Sequence, residues 1–272
     1  LSELPAEVWA NLFAGLSNLQ HLNLGANKLS KLPSKVWSKS FAGLGKLQKL
    51  YLSQNDLSEL PANVFSGLSK LRELYLYENE LSVLPAEVFS ELGNLQQLYL
   101  CWNKLNELPP EAFANLFAEL SNLQVLDLGY NNLSVLPSHG FAGLRNLQVL
   151  NLGKCKVLTS DEDEDQIFYV GRFLCLLYLF DSVTLESRTN QISKLPAEFF
   201  SGLGNLQKVY LDSNKLTQLP ANIFSSLSSL QILDLSSNDL THLHAEAFSG
   251  LNNLQTLNLG SNKLSEIGRA HV

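Results

Sequence analysis

The residues that could do chemistry are few and scattered. His242 and His244 form a His-x-His pair with Glu246 two residues on. Two imidazoles and a carboxylate are a zinc ligand set. However, His244 stands where sibling segments carry Pro, so an exposed surface pair is expected. The run Asp161-Glu-Asp-Glu-Asp165 sets Asp at alternate positions, as a calcium loop does. Gln166 follows where such a loop needs Gly, and Arg172 stands where the bidentate Glu belongs, so a solvated acidic run is expected. The chain has 3 Cys, an odd number that encodes no complete disulfide framework. Cys101, at the exit of a strand, is expected to be an accessible free thiol. The sequence contains no phosphate-binding Gly-x-x-x-x-Gly-Lys, no His-Glu-x-x-His and no Gly-x-Ser-x-Gly. The reading is therefore not an enzyme, with no catalytic residues, no metal and no cofactor. Asn132-Leu133-Ser134 is a glycosylation sequon, used if the chain is secreted.

What remains is recognition. Tyr51, Tyr75 and Tyr99 recur at intervals of 24, each between two leucines, with Tyr77, Trp102 and Tyr130 just beyond. Tyr and Trp are favoured at interface hot spots because they bury large area and carry a polar tip. These six residues are the candidate ligand-binding patch, with Tyr75, Tyr99 and Trp102 at its centre. The alternative is that stacked tyrosines simply suit a β surface. Net charge is −7, with 19 Lys and Arg among 272 residues, and no basic patch is evident. That balance argues for a protein or other macromolecular ligand and against nucleic acid. The longest apolar stretch, Ile167 to Phe180, is too short to span a bilayer, so no membrane span is expected.

The elements that position these residues come from a repeat. Leu-x-x-Leu-x-Leu-x-x-Asn-x-Leu fits Leu19 to Leu29, Leu47 to Leu57, Leu71 to Leu81, Leu95 to Leu105 and Leu123 to Leu133. It returns at Leu206 to Leu216 (with Val209 for one Leu), Leu230 to Leu240 and Leu254 to Leu264. A ninth copy, at Leu147, Leu150 and Leu152, has Cys155 in place of Asn. Alternating leucines make a short strand buried on one face. One repeat cannot bury that face alone, so neighbours must stack. The Asn amide is expected to satisfy backbone groups of the turn and of the adjacent coil, forming a ladder. The second half of each repeat reads Leu-Pro-x-x-x-Phe-x-x-Leu, as at Leu60, Pro61, Phe65 and Leu68.

These motifs resemble the 24-residue leucine-rich repeats of Toll-like receptors, Slit-like proteins and lamprey variable lymphocyte receptors. The resemblance implies an α/β horseshoe solenoid, with a curved parallel sheet on the concave face and short helical or irregular convex segments. It also implies an extracellular or cell-surface, non-enzymatic scaffold that binds through the concave face. The alternatives are a structural or matrix adhesion protein and the sensor ectodomain of an enzyme-linked receptor. The chain opens and stops mid-repeat, so residues 1–272 are expected to be a single solenoid from a longer chain, with its caps outside this stretch.

The ladder positions are mostly 24 apart. Two intervals of 28, Asn27 to Asn55 and Asn103 to Asn131, hold aromatics four residues apart: Trp37 with Phe41 and Phe113 with Phe117. That spacing predicts convex helices lengthened by a turn. From Cys155 to Asn190 the interval is 35 with no complete repeat. Residues 157–191 are read as an irregular insertion, either a retained intron or a genuine loop. Removing 155–189 or 157–191 restores the register equally well, with Asn190 or Cys155 in the ladder position.

Overall fold

The computed structural model describes residues 12–13, 15–30, 41, 43–106, 115–137, 140–141, 143–153, 190–244, 246–264 and 266–267. Each described repeat contributes one three-residue strand. In chain order these are β1 (His21–Asn23), β2 (Lys49–Tyr51), β3 (Glu73–Tyr75), β4 (Gln97–Tyr99), β5 (Val125–Asp127), β6 (Val149–Asn151), β7 (Lys208–Tyr210) and β8 (Ile232–Asp234), then β10 (Thr256–Asn258). They form one parallel sheet in sequence order. The middle leucines are in register, Leu22 against Leu50 and Leu50 against Leu74. β9 (His242–Leu243) and β11 (Glu266–Ile267) make a separate two-stranded parallel sheet.

The core is a stack of identical layers. Leu50, Leu74, Leu98, Leu126 and Leu150 are fully buried, as are their neighbours Leu52, Leu76, Leu100, Leu128 and Leu152. Each such side chain contributes roughly 1.5–3 kcal/mol. On the far side the phenylalanines stack from repeat to repeat, with Phe65, Phe89 and Phe117 separated by centroid distances of 6.1 and 6.5 Å.

The convex side corrects the expected fold class. Among the described residues no helix forms beyond a fragment at 115–116, so the molecule is a parallel β-solenoid and not an α/β horseshoe with helical convex segments. The convex chain runs as successive turns closed by three-residue hydrogen bonds: Val64 N–H to Pro61 O, Phe65 O from Leu68 N–H, and Leu68 O from Leu71 N–H. Two causes act together. A helical nucleus is costly and the run from Pro to Leu is too short to repay it. Gly67, like Gly15, Gly43, Gly202 and Gly250, has a positive φ that breaks any helical continuation. The aromatic pairs read as lengthened helices have Trp37 and Phe113 outside the described residues. Their partners Phe41 and Phe117 are buried in the phenylalanine stack.

Three-residue strands supply few hydrogen bonds, and the asparagine ladder makes up the shortfall. The Asn103 amide donates to the carbonyls of Leu76, Leu100 and Cys101 at 2.9, 3.0 and 3.3 Å. Its oxygen accepts from the Leu81 N–H at 3.0 Å. Asn55, Asn79, Asn131, Asn214 and Asn238 repeat this set. A second ladder lies at the strand entrances. Asn94, Asn122, Asn146 and Asn253 donate to Ser69, Gly93, Ser121 and Ser228 carbonyls of the preceding repeat.

Both ladders continue across the irregular interval. The expected insertion 157–191 lies outside the described residues except for its last two. Asn190 donates to Leu128 O and Leu152 O at 3.1 and 2.8 Å, and accepts from Leu133 N–H at 2.9 Å. Asn190 thus fills the ladder position that follows Leu152. Asn205 donates to Arg145 O at 2.8 Å, and β6 pairs with β7 in register. The approach there is close: a Cβ on Gly153 would meet Asp212 N at 2.8 Å.

Two stability outcomes follow. Asn103→Ala removes a buried amide that serves four backbone groups, and is expected to cost roughly 3 kcal/mol in urea unfolding; a change under about 0.5 kcal/mol would refute the ladder's role. Deleting 155–189, which joins Lys154 to Asn190, is expected to leave a cooperatively unfolding array. Deleting 157–191 puts Cys155 at the ladder position, where a thiol replaces neither the amide's donors nor its oxygen. That variant is expected to melt lower by calorimetry; equal melting temperatures would contradict the assignment of Asn190.

Candidate functional site

The outward residues of the sheet are positioned by strand alternation and by the ladder. Tyr51 pairs with Tyr75, and Tyr75 with Tyr99, as register neighbours. Parallel strands lie about 4.8 Å apart, close to a ring-stacking distance. The rings accordingly lie at centroid separations of 4.4 and 4.9 Å and within 7° of parallel. Tyr77 stands edge-on to Tyr75 at 84°. In the position just before the ladder asparagine, Trp102 stacks on Tyr130 at 4.1 Å and 7°. Five of the six aromatics expected from the sequence therefore fall into two stacks, and Tyr77 stands edge-on to the first. Tyr51, Tyr75, Tyr77 and Trp102 are half-buried, whereas Tyr99 and Tyr130 are buried.

In the rungs that carry the aromatics, the residue before the ladder asparagine holds a left-handed backbone: Gln54, Glu78, Trp102 and Tyr130 have φ of 56, 53, 55 and 48°. This turn puts their side chains in one row. Gln54 Nε2 donates to Glu78 Oε2 at 3.1 Å. Glu78 Oε1 and Trp102 Nε1 are buried with no hydrogen-bond partner among the described residues. Burial pushes the Glu78 carboxyl above its ordinary range, opposed by the Gln54 bond. Sequence reading missed Glu78 and Gln54. The signal was available, since both lie in the column of Trp102 at multiples of 24.

The tyrosine stack is tied to charge at its base. The Tyr75 hydroxyl donates to Glu73 at 2.9 Å, and Glu73 pairs with Lys49 at 3.3 Å. Burial, then the charge of Glu73, hold the Tyr75 phenol far above its ordinary range. Tyr99 OH donates to Gln97 at 3.1 Å.

Beyond β4 the outward column changes character. Asp127, Asn151 and Asp234 are buried, and each accepts the backbone N–H two residues on, at Gly129, Gly153 and Ser236. They close the strand exit instead of facing a ligand. Cys101 is in no disulfide, as expected, but it is buried and not accessible. His242 and His244 are exposed, and the His242 ring bonds Thr241 at 2.9 Å. Among the described residues no group of three His, Cys, Asp or Glu could hold a metal. The acidic run 161–165 lies outside the described residues. Asn132 is exposed on a turn, with Leu133 after it fully buried.

Comparison with known proteins agrees with this geometry. A model described as leucine rich repeat matches residues 8–57, 32–81, 70–116, 114–157, 184–240 and 228–270. A chain solved as the TLR13-ssRNA13 complex is 31% identical over 94% of this chain, with a TM-score of 0.72. This chain spans 31% of that one. The leucine-rich repeat domain of APL1B shares the fold at 22% identity and a TM-score of 0.60, over 96% of this chain and 68% of that domain. No curated protein matches.

The TLR13 likeness corrects the exclusion of nucleic acid, since that relative was solved in complex with ssRNA13. The physical reason is that net charge averages over the whole chain, whereas recognition of a base by stacking and hydrogen bonding needs no basic patch.

Glu78 gives a pH outcome. A carboxyl raised in the folded state binds protons more tightly there than when unfolded. Stability is therefore greatest below the unfolded pKa and declines as pH rises through the folded one. Glu78→Gln is expected to raise the melting temperature at pH 7 and to converge with the parent near pH 4. A parent that gains stability from this side chain as pH rises would contradict the assignment.

Proposed function

The chain belongs to the leucine-rich-repeat family, and from that premise we propose that it is a non-enzymatic recognition scaffold that takes up a macromolecular ligand on its parallel-sheet face, across β2 to β5. The observation that carries this reading is the double aromatic stack, Tyr51–Tyr75–Tyr99 beside Trp102–Tyr130. Stacked rings on adjacent strands are already immobilised, so contact with them costs little side-chain entropy. Single-stranded RNA is among the ligands to be tested, on the likeness to the TLR13 chain. An extracellular or cell-surface location accords with that likeness. No helix among the described residues is long and apolar enough to cross a membrane.

The test compares wild-type protein with Tyr75→Ala/Tyr99→Ala, and with the exposed convex control Glu87→Ala, against single-stranded RNA and candidate protein ligands. The tyrosine variant is expected to bind at least about tenfold more weakly, as hot-spot truncations do, and the control to be unchanged. A ligand that ignores the tyrosines and protects the convex turns in side-chain footprinting would overturn the reading.

A further inference from the structure

The residue that follows the ladder asparagine is used by neither the core nor the ladder. Its backbone N–H is taken up by the preceding rung: Lys104 donates to Leu81 O at 2.8 Å, Asn132 to Leu105 O at 2.7 Å and Lys215 to Ile192 O at 2.9 Å. The next side chain, such as Leu105, Leu133 or Leu216, is fully buried. The side chain before it is turned outward, onto the flank beside the sheet, and Asp56, Lys104, Asn132, Lys215 and Lys263 are exposed. Charged groups fill most of this flank column, where Lys104 pairs with Glu80, and Lys263 with Asp239 at 2.7 Å. Asn132 breaks the row. Its side-chain amide is exposed and makes no hydrogen bond among the described residues. Asn131, the same side chain one residue earlier, is 1% exposed and fully engaged. It donates to the carbonyls of Leu100, Leu128 and Gly129 and accepts from the Leu105 N–H.

We infer that Asn132 is an acceptor for an N-linked oligosaccharide, rooted on the flank of the array and not on its sheet face. Asn132-Leu133-Ser134 is the only Asn-x-Ser/Thr in the sequence. The inference rests on the extracellular reading above, because the sugar is attached in a secretory compartment. The donor is a lipid-diphosphate-linked oligosaccharide. Asn132 Nδ2 bonds to its anomeric carbon as the bond from that carbon to the diphosphate oxygen breaks. The lipid diphosphate leaves with the electron pair, and the amide nitrogen gives up one proton. The sugar is added to a chain that has yet to fold, so the folded array must leave room for it. A sugar on Asn131 would break four buried bonds, whereas one on Asn132 breaks none. The hydroxyl of the motif does not discriminate, since Ser58, Ser82, Thr217 and Thr241 hold the place of Ser134 in their own rungs. Only the rung of β5 joins that hydroxyl to an asparagine in the flank column. Asn132 follows Tyr130 by two residues, so the sugar is rooted beside the aromatic columns at their β5 end.

The experiment secretes the chain from eukaryotic cells behind an added signal peptide, as the parent, as Asn132→Gln and as Lys215→Asn. The last variant completes the acceptor motif with Leu216 and Thr217 at the matching flank position of another rung. Intact masses and peptide maps after glycosidase treatment locate the sugars. The parent is expected to carry one oligosaccharide, at residue 132, Asn132→Gln none, and Lys215→Asn two. Enzymatic removal of the sugar from the folded parent is expected to leave its melting temperature within about 2 °C, as a change confined to the surface does. A parent secreted with residue 132 bare overturns the inference, whether or not Lys215→Asn is modified. A sugar whose removal raises the melting temperature well beyond that range would be forced against the fold, and the flank placement would be wrong. Peptide maps of the protein from its natural source test the premise separately. Residue 132 bare there, but occupied on forced secretion, refutes the extracellular reading and leaves the acceptor site standing.

Discussion

The buried asparagine amide is the interaction on which the rest of this molecule depends. Three-residue strands leave most of each repeat's backbone without sheet partners, yet the chain must turn inside a dry, leucine-filled core. Unpaired backbone groups there would each cost about 1–3 kcal/mol. One carboxamide per rung removes that cost: it donates to its own turn and to the preceding repeat, and it accepts from the N–H two residues past the preceding repeat's own ladder asparagine. No other side chain of that size offers donors and an acceptor on the same plane. The turn it stabilises forces the residue before it into the left-handed region. That residue is Gln54, Glu78, Trp102 or Tyr130 in the rungs that carry the aromatic stacks. The row proposed to meet a ligand is therefore a by-product of the row that holds the fold.

Because each rung touches only its neighbours, stability is nearly a sum of local terms. Continuity between rungs can then be read one bond at a time. Cys155 follows Leu152 at the spacing of a ladder residue, whereas Asn190 arrives 35 residues later, yet Asn190 makes the bonds. Spacing alone did not decide between them. Hydrogen-bonding capacity did: a thiol is a weak donor and acceptor, and an amide supplies both functions at full strength.

The solenoid was legible in the sequence because its period is carried by buried residues. Leucine, phenylalanine and asparagine recur where burial and satisfaction permit little else. The helical convex segments that the resemblance implied do not form in the described 24-residue repeats, because the run from Pro to Leu is too short to nucleate a helix and ends at a positive-φ glycine such as Gly67. Phe41 and Phe117 of the two longer repeats join the inter-repeat phenylalanine stack, and the lengthened convex turns before them lie outside the described residues. The aromatic columns were legible too, since alternation assigns side chains to faces. What alternation does not encode is which outward residues turn back on the chain. Asp127 and Asn151 look like ligand contacts by position, but they are buried in capping their own strands. The glycines two residues on, Gly129 and Gly153, were the overlooked sign, because their N–H groups receive those caps. Cys101 was misjudged for a related reason: a strand-exit position gives direction but not depth.

Charge was the least transferable of the sequence-level arguments. A net charge of −7 describes the field far from the protein, where it governs encounter rate and salt dependence. Within a few ångströms of the sheet the relevant quantities are local. Lys49 is spent on Glu73, the Glu73 charge raises the Tyr75 phenol, and the Glu78 carboxyl is raised by its own burial. The acidic composition thus describes the far field alone and does not decide whether a ligand is a nucleic acid.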